Sequence, residues 1–154
     1  MRARSVSALN LSTSGVVTTG QETTLVECAR LMRAEHVGSL IIVDEFSEDK
    51  RPVGIVTDRD IVVEAVAVGL DTRTLTASDV MARPLACVGP DDDLLVALAR
   101  MRENGARRLP VLDARGRLAG ILTLDNLLEA FSELLDSAVN VVKAEQTRES
   151  HLRR

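Results

Sequence analysis

Two threonines, each followed three residues later by an acid or its amide, are the residues of this chain best placed to bind a ligand. Thr57 precedes Asp60 and Thr123 precedes Asn126, and in both places a glycine-led apolar run leads to the threonine. An apolar, helix-like run follows, so each threonine stands where a predicted strand ends and a predicted helix begins. Unpaired N–H groups and the helix dipole favour anionic groups such as phosphate at such a point. The hydroxyl and the acid therefore outline a binding site.

The same spacing has a purely structural explanation. A threonine at the N-cap with an acid three residues later is typical of a capping box, in which the two side chains satisfy backbone N–H groups and no ligand is needed. On spacing alone this explanation is at least as good as ligand binding. Arg107 and Arg108, which precede a predicted strand, are likewise either phosphate ligands or a solvated strand start.

The chain contains an internal repeat. An offset of 69 residues aligns Leu25 with Leu94 and Leu40 with Leu109. The offset falls to 66 at the second Gly-x-x-Thr motif, because the loop before it is shorter. A shared order of elements with one loop deletion indicates a duplication.

Each copy is predicted to contain a leading segment, a strand, a helix, two strands and a closing helix. The first helix of each copy, beginning near Leu25 or Leu94, has apolar residues at the i, i+3, i+4, i+7 spacing of one buried stripe. The other predicted elements are given for the first and second copy in turn: leading segments 6–11 and 75–81, strands 16–19 and 85–88, strands 39–44 and 109–113, and strands 53–57 and 118–123. The closing helices are predicted to begin after Thr57 and Thr123 and to contain the apolar runs 61–68 and 127–135.

This order predicts an α/β (α+β) fold with two duplicated β-α-β-β-α units. Neither unit is large enough to bury a sufficient core alone, so we expect the two to pack together. We expect unit one in residues 1–70, unit two with its linker in residues 71–136, and a C-terminal helical tail in residues 137–154, where about one more helix follows the closing helix.

The composition excludes several classes of function. The 154 residues carry a formal charge of −4, and only Phe46 and Phe131 are aromatic, which argues against a nucleic-acid partner. No apolar run is long enough to cross a bilayer, and residues 1–5 lack the apolar core of a signal peptide. Two cysteines do not make a disulfide framework. We therefore expect a cytoplasmic protein with reduced thiols and no membrane partner.

We predict neither a catalytic residue nor a metal site. The chain has no nucleophile–base pair and no glycine-rich phosphate loop. His36 and His151 are isolated, and no Cys/His spacing suggests zinc. Cys28 and Cys87 are expected to be small buried hydrophobes.

In its ordered motifs the chain resembles the tandem CBS-domain pair, a family named after cystathionine β-synthase. The resemblance covers about residues 6–135 and implies a regulatory module rather than an enzyme. Such modules bind AMP, ATP or a related adenosyl compound as a regulatory ligand in the cleft between the units, and this one would signal in trans to an unidentified protein partner. The alternative is a dimerisation or interaction module whose ligand sites have decayed. The motifs are Gly54-x-x-Thr57-x-x-Asp60, Gly120-x-x-Thr123-x-x-Asn126, Arg108-Leu109-Pro110-Val111-Leu112-Asp113, and Asp79-Val80-Met81 followed by Pro84.

The resemblance implies two ligand sites, each joining the threonine motif of one unit to strands of the other. In site A the acid would hold the ribose, the backbone of the first strand would read the adenine edge, and arginines would hold phosphate. Site B is expected to be weaker, because it has an amide for the acid and no arginine pair. Site A comprises Thr57, Arg59, Asp60, Ala86, Cys87, Val88, Arg107 and Arg108; site B comprises Thr123, Asp125, Asn126, Val17, Thr18, Thr19, Gly38 and Ser39.

The resemblance also implies a homodimer formed through helices. The apolar positions after Asp60 and Asn126 exceed what one small core needs. We therefore expect the following residues near the interface: Ile61, Val62, Ala65, Leu127, Leu128 and Phe131.

Overall fold

Each repeat folds around a small sheet. The structure, a computed structural model, describes residues 6–152, with side chains as far as residue 149. Residues 1–5, on which the signal-peptide argument depends, and residues 153–154 of the predicted tail lie outside this range. In the first repeat β1 (Thr18–Gly20) runs parallel to β2 (Ser39–Val43), which pairs antiparallel with β3 (Pro52–Thr57). In the second, β4 (Arg108–Leu112) pairs antiparallel with β5 (Leu118–Thr123).

Within residues 6–152, six α-helices complete the mixed α/β fold, which confirms the predicted fold class. They are α1 (Ala8–Leu11), α2 (Leu25–Glu35), α3 (Asp58–Ile61), α4 (Ala77–Val80), α5 (Leu94–Asn104) and α6 (Leu124–Leu152). The predicted apolar stripes of α2 and α5 face the two cores, with Leu25 and Leu94 among the buried residues. Both helices end in a left-handed residue, His36 in the first repeat and Gly105 at the equivalent place in the second.

Both closing helices begin directly after the threonine, as predicted, but they differ from the prediction in their extent. In the first repeat, α3 begins at Asp58 and passes into a π-helix over Val62–Val66. In the second, α6 runs without a break for 29 residues, so the predicted helical tail is a continuation of the closing helix. Its hydrogen bonds continue because no proline or glycine interrupts it. Within residues 6–152, no helix is both long and apolar enough to cross a membrane.

The predicted strand at residues 85–88 is also wrong, because only Val88 forms a bridge, to Val111. In the first repeat the Ile41 N–H donates to the Val17 carbonyl at 3.1 Å and extends the ladder. The duplication puts Pro110 at the place of Ile41, and proline has no N–H to donate. On its β4 edge the second sheet therefore has one bridge, between Val88 and Val111, in place of a third strand.

The leading segments are exchanged between the two cores. Ala8 of α1 packs into the core of the second repeat, whereas Ala77 of α4 and Met81 pack into the core of the first. Backbone bridges join Thr13 to Ile121 in one case, and Ile55 to Ala82 in the other. The exchange ties the two repeats together, since each core is completed by chain from the other half.

Candidate functional site

The Thr57 motif forms a complete capping box at the start of α3. The Asp60 Oδ2 accepts the Thr57 N–H and the Thr57 Oγ1–H, each at 2.8 Å, and the Thr57 Oγ1 accepts the Asp60 N–H at 3.2 Å. Both side chains are half-buried. Within residues 6–152 no hydrogen bond is made by Asp60 Oδ1, so one carboxylate oxygen is free for a ligand.

The Thr123 motif has the same geometry with an amide in place of the acid. The Asn126 Oδ1 accepts the Thr123 N–H at 3.0 Å and the Thr123 hydroxyl at 2.8 Å. Two further boxes, Thr24 with Glu27 and Thr76 with Asp79, cap α2 and α4. Because the spacing recurs at helix starts outside the predicted sites, the capping box alone does not identify a ligand site.

A cavity of about 200 Å³ lies where the two repeats meet. Ile55 of β3 forms its first-repeat wall, and Thr57 lies two residues further along the strand, on the same face. Ala86 and Arg108, both predicted for site A, are brought together here. The lining contains two arginines and no acidic residue, which favours an anionic ligand. The complete lining is Ile55, Ala82, Arg83, Pro84, Leu85, Ala86, Asn104, Ala106 and Arg108.

Arg108 crosses from the second repeat to the first. A Cβ atom built on Gly38 would lie 3.6 Å from the Arg108 Nη2 and 3.4 Å from the Asp58 Oδ2, so both charged groups lie over this glycine. Arg108 is half-buried, whereas Arg59 and Arg107 are exposed. The Arg107 carbonyl accepts the Leu124 N–H at 2.8 Å within its own repeat. Of the predicted site A arginines, only Arg108 lines the cavity.

Some of the backbone N–H and carbonyl groups of residues 86–88 already form hydrogen bonds within the protein. The Val88 N–H donates to the Pro110 carbonyl at 3.0 Å, and the Val88 carbonyl accepts the Leu112 N–H at 2.9 Å. The Cys87 carbonyl accepts a hydrogen bond from Arg100 at 2.6 Å. No hydrogen bond is recorded for the Ala86 carbonyl among the described residues. An adenine edge would therefore find its free acceptor at Ala86 and its free donor at the Cys87 N–H.

Site B is less complete. The Val17 carbonyl is already bonded to Ile41, and the Thr19 hydroxyl bonds that of Thr23 at 2.8 Å. The other site B residues are not brought to the Arg108 cavity, and Thr18 and Asp125 are exposed. Gly38 and Ser39 lie beside the first threonine motif, since Ser39 is the strand partner of Thr57.

The second cavity, of about 360 Å³, separates α1 from α6. Asn126 lines it, but no residue of β1 does, so it is not the predicted site B. The lining is Val6, Asn10, Leu11, Asn126, Glu129, Ala130, Glu133, Leu134 and Ser137.

The sequence reasoning missed Arg83, the second arginine of the Arg108 cavity. Its Nη2 donates to the Ser78 carbonyl at 2.7 Å, which fixes the side chain beside the cavity. Its position between Met81 and Pro84, inside one of the family motifs, is the signal in the sequence that points to it. Ile55 was missed as well, although it stands two residues before Thr57 on the same strand.

Three of the predicted dimer-forming residues lie inside the protomer. Ile61, Ala65 and Leu127 have exposed fractions of 6%, 0% and 0%, so their assignment to an interface is wrong. Each belongs to a core that the exchanged leading segments complete. Val62 and Leu128 are exposed, and Phe131 packs partly buried on the second core.

Comparison with known sequences identifies both repeats. The model of the CBS domain matches the chain twice, over residues 6–66 and 77–133. Hypoxic response protein 1 of Mycobacterium tuberculosis is 34% identical over 137 residues, which cover 89% of this chain and 92% of that protein. An uncharacterized protein of Methanopyrus kandleri is 37% identical over 126 residues, which cover 82% of this chain and 63% of that protein. The chain thus spans nearly all of one relative and less than two thirds of the other.

Solved structures show the same fold. The crystal structure of Hypoxic Response Protein I with two coordinated zinc ions has a TM-score of 0.69 and 33% identity, over 80% of this chain and 97% of that one. The hexameric CBS-CP12 protein from bloom-forming cyanobacteria has a TM-score of 0.71 and 29% identity, over 79% of this chain and 69% of that one. In the described residues of the present chain, no group of three or more His, Cys, Asp or Glu side chains is arranged to hold a metal ion.

Proposed function

The chain belongs to the CBS-domain family, and on that premise we propose that it is a regulatory module that binds a phosphorylated adenosine compound in the Arg108 cavity. CBS domains generally act as regulatory ligand-binding modules. The observation that carries the proposal is the lining of the cavity, which combines Arg83 and Arg108 with apolar walls and contains no acid. Apolar walls with a few polar groups are typical of sites for small organic ligands.

Each part of AMP has a matching group in or beside this cavity. The Arg108 guanidinium binds the phosphate through charge-assisted hydrogen bonds. The free Oδ1 of Asp60 accepts hydrogen bonds from the ribose hydroxyls. The Ala86 carbonyl accepts from the adenine amino group, and the Cys87 N–H donates to a ring nitrogen. Since the protein has two aromatic residues in all, the adenine ring is held between aliphatic side chains such as Ile55 and Leu85.

The two predicted sites are unequal in this proposal. Site A has a free carbonyl at Ala86, a carboxylate at Asp60 and the guanidinium of Arg108. In site B the equivalent carbonyl, at Val17, is bonded to Ile41, and Asn126 replaces the acid. A hydrogen bond to a charged group contributes about 1.5–3 kcal/mol and a neutral one about 1 kcal/mol. The loss of one such contact separates two affinities by roughly tenfold.

An interaction module without a ligand is the second candidate. The observation that favours it is the complete capping box at Thr57, which explains the motif without any ligand. In either case, we propose that the protein acts on a protein partner and not as an enzyme. The cytoplasmic location and the domain boundaries at residues 70 and 136 stay predictions.

Calorimetry separates the two candidates. Purified protein is titrated with AMP, ATP and adenosine, with GMP as the control for the base, and compounds released on denaturation are identified by mass spectrometry. We expect one dominant site per chain for AMP or ATP, with weaker binding of adenosine. If no adenosine compound binds and none is released, the ligand-sensing proposal is wrong and the interaction module is favoured.

A further inference from the structure

Arg108 faces a carboxylate of the other repeat. The Asp58 Oδ2 and the Arg108 Nη2 lie 3.4 Å and 3.6 Å from the position that a Cβ on Gly38 would take. Two atoms this close to one point are at most about 7 Å apart. Within residues 6–152, no ion pair joins Asp58 to Arg108. The two opposite charges therefore lie near each other without direct contact.

Both side chains have polar atoms that the protein leaves without a partner. The Asp58 Oδ1 accepts the Arg59 N–H at 2.8 Å, which fixes the carboxylate, and within residues 6–152 no hydrogen bond is recorded for Oδ2. The Arg108 guanidinium forms neither a hydrogen bond nor an ion pair with the described residues. A half-buried guanidinium with free donors attracts an anion, and Asp58 is the acid that the structure places beside it.

The second repeat lacks both charges at the equivalent places. The Asp58 N–H donates to the Gly38 carbonyl at 3.1 Å, and in the second repeat the Leu124 N–H makes the matching bond at 2.8 Å. Leu124 is therefore the counterpart of Asp58, and the offset of 69 residues makes Ser39 the counterpart of Arg108. Leu124 also shows that a helix can begin here without an acid. Since the acid and the base are present together in one site and absent together from the other, they act as a pair.

We propose that Asp58 determines how much negative charge the Arg108 cavity accepts, and that it favours a nucleoside monophosphate over a polyphosphate. This role rests on the proposed function, in which Arg108 holds the phosphate. A phosphate bound to Arg108 competes with the Asp58 carboxylate for the guanidinium and is also repelled by it. At a separation near 6 Å in a partly solvated site, repulsion between two unit charges changes an affinity by about threefold to tenfold.

The charges around the cavity match those of a monophosphate. Arg83 and Arg108 line it, and within residues 6–152 no other basic residue does. Asp58 and Asp60 lie outside the lining, on the first turn of α3, and offset these two positive charges. A phosphate monoester carries about 1.5 to 2 negative charges at neutral pH, and a triphosphate carries roughly two more. The additional charges of ATP find no further cation in the lining and face the carboxylate of Asp58.

Calorimetry with adenosine, AMP and ATP in the absence of Mg²⁺ tests this role on Asp58→Asn and Asp58→Leu. Asparagine keeps an oxygen for the Arg59 N–H, and leucine is the residue of the second repeat. We expect both variants to bind AMP about threefold to tenfold more tightly than the wild type. The gain for ATP should be at least threefold larger than the gain for AMP, and adenosine should change less than twofold.

Two further variants serve as controls. Asp136→Asn removes the same charge from an exposed position that lines neither cavity, and it should change none of the three affinities. In an Arg108→Ala background, Asp58→Asn should change AMP affinity by less than twofold, because the phosphate is then no longer held beside the carboxylate. Raised salt should reduce the difference between the wild type and Asp58→Asn, since Asp58 is exposed. Urea unfolding without ligand verifies that each variant is folded.

The outcomes separate this role from the proposed function. If the wild type binds AMP and both Asp58 variants bind AMP and ATP as the wild type does, Asp58 does not determine specificity and the proposed function stands. An equal gain for adenosine, AMP and ATP would also overturn the role, because the gain would not depend on the charge of the ligand. Weaker binding of ATP with Mg²⁺ by Asp58→Asn would mean that Asp58 favours a metal-bound triphosphate, which overturns the preference for a monophosphate. If neither the wild type nor the Asp58 variants bind any adenosine compound, both proposals are wrong.

Discussion

Asp60 is bonded to Thr57 through one carboxylate oxygen, while its other oxygen accepts no hydrogen bond within the described residues. The side chain can therefore cap α3 and hold a ribose at the same time. Helix capping and ligand binding, which are competing explanations of the motif in the sequence, are compatible in the structure. The first prediction separates the two contributions.

Asp60→Asn should weaken AMP binding by roughly tenfold or more, because the two ribose hydroxyls lose a charged acceptor. Stability should fall by at most about 1 kcal/mol, since Asn126 shows that an amide oxygen caps a helix in the same way. Asp79→Asn, which alters an equivalent box on α4, is the matched control. It should cost similar stability and leave affinity unchanged. Calorimetry and urea unfolding measure both quantities, and equal AMP affinity for Asp60→Asn and wild type would favour capping alone.

Arg108→Ala should weaken AMP at least tenfold and adenosine less than twofold, because only AMP has a phosphate for the guanidinium. Raised salt should reduce the AMP affinity of the wild type more than that of the variant. Arg107→Ala serves as the neighbouring control, since this exposed side chain does not line the cavity. Titration by calorimetry at two salt concentrations is the measurement. An equal loss for both ligands would place Arg108 away from the phosphate.

Pro110→Val should weaken AMP and adenosine by the same factor, about fivefold to tenfold. The new N–H at position 110 can donate to the Ala86 carbonyl, as Ile41 does to Val17, and the adenine then loses its acceptor. Valine is close to proline in volume, so the buried site is retained. Matching thermal melts establish that the core is intact, and an unchanged affinity for adenosine would show that Ala86 does not bind the base.

Gly120→Ala should destabilise the protein by about 1–3 kcal/mol, a typical cost of overpacking. A Cβ at this position would collide with the Ser12 Oγ and approach the Thr13 carbonyl oxygen to 3.1 Å, and that backbone is held by its pairing to Ile121. Gly15→Ala, whose Cβ would meet nothing within 4 Å, should change the free energy of unfolding by less than about 0.5 kcal/mol. Urea unfolding of the two variants should reveal this difference; equal stabilities would mean that the exchanged segment moves aside.

The stability of the protein should fall between about pH 9 and pH 11 through Cys28. Burial, followed by the charge of Glu27, raises the pKa of the Cys28 thiol to about 11. The folded state therefore retains a proton that the unfolded state loses, so the stabilisation is complete below pH 9 and disappears as the pH rises through 11. The change is on the order of 2 kcal/mol. The absence of tyrosine removes one other source of alkaline titration. Cys28→Ala should have a flatter profile in urea unfolding, and an identical slope would contradict the prediction.

The features that could be predicted from the sequence are those that depend on residues close to one another along the chain. The apolar stripes of α2 and α5, the strands β2 to β5 and the capping residues follow from side-chain spacing, because helix and strand periods act over a few residues. The duplication extended these local patterns to the fold class, since two copies must share one plan. Arg108 and Ala86 were predicted for one site from the family motifs, and the structure brings both to one cavity.

Only the tertiary structure determined which segments meet. The exchange of the leading segments depends on the close approach of Thr13 to Gly120. These two residues are 107 positions apart in the sequence. The same exchange buries Ile61 and Leu127, which look like interface residues when each helix is considered alone. Pro110 can be read from the sequence, but its effect on the Ala86 carbonyl cannot. That effect depends on residues 86–88 lying parallel to β4, which only the tertiary structure shows. Local spacing determines the elements, whereas burial and hydrogen-bond partners depend on contacts between residues that are distant along the chain.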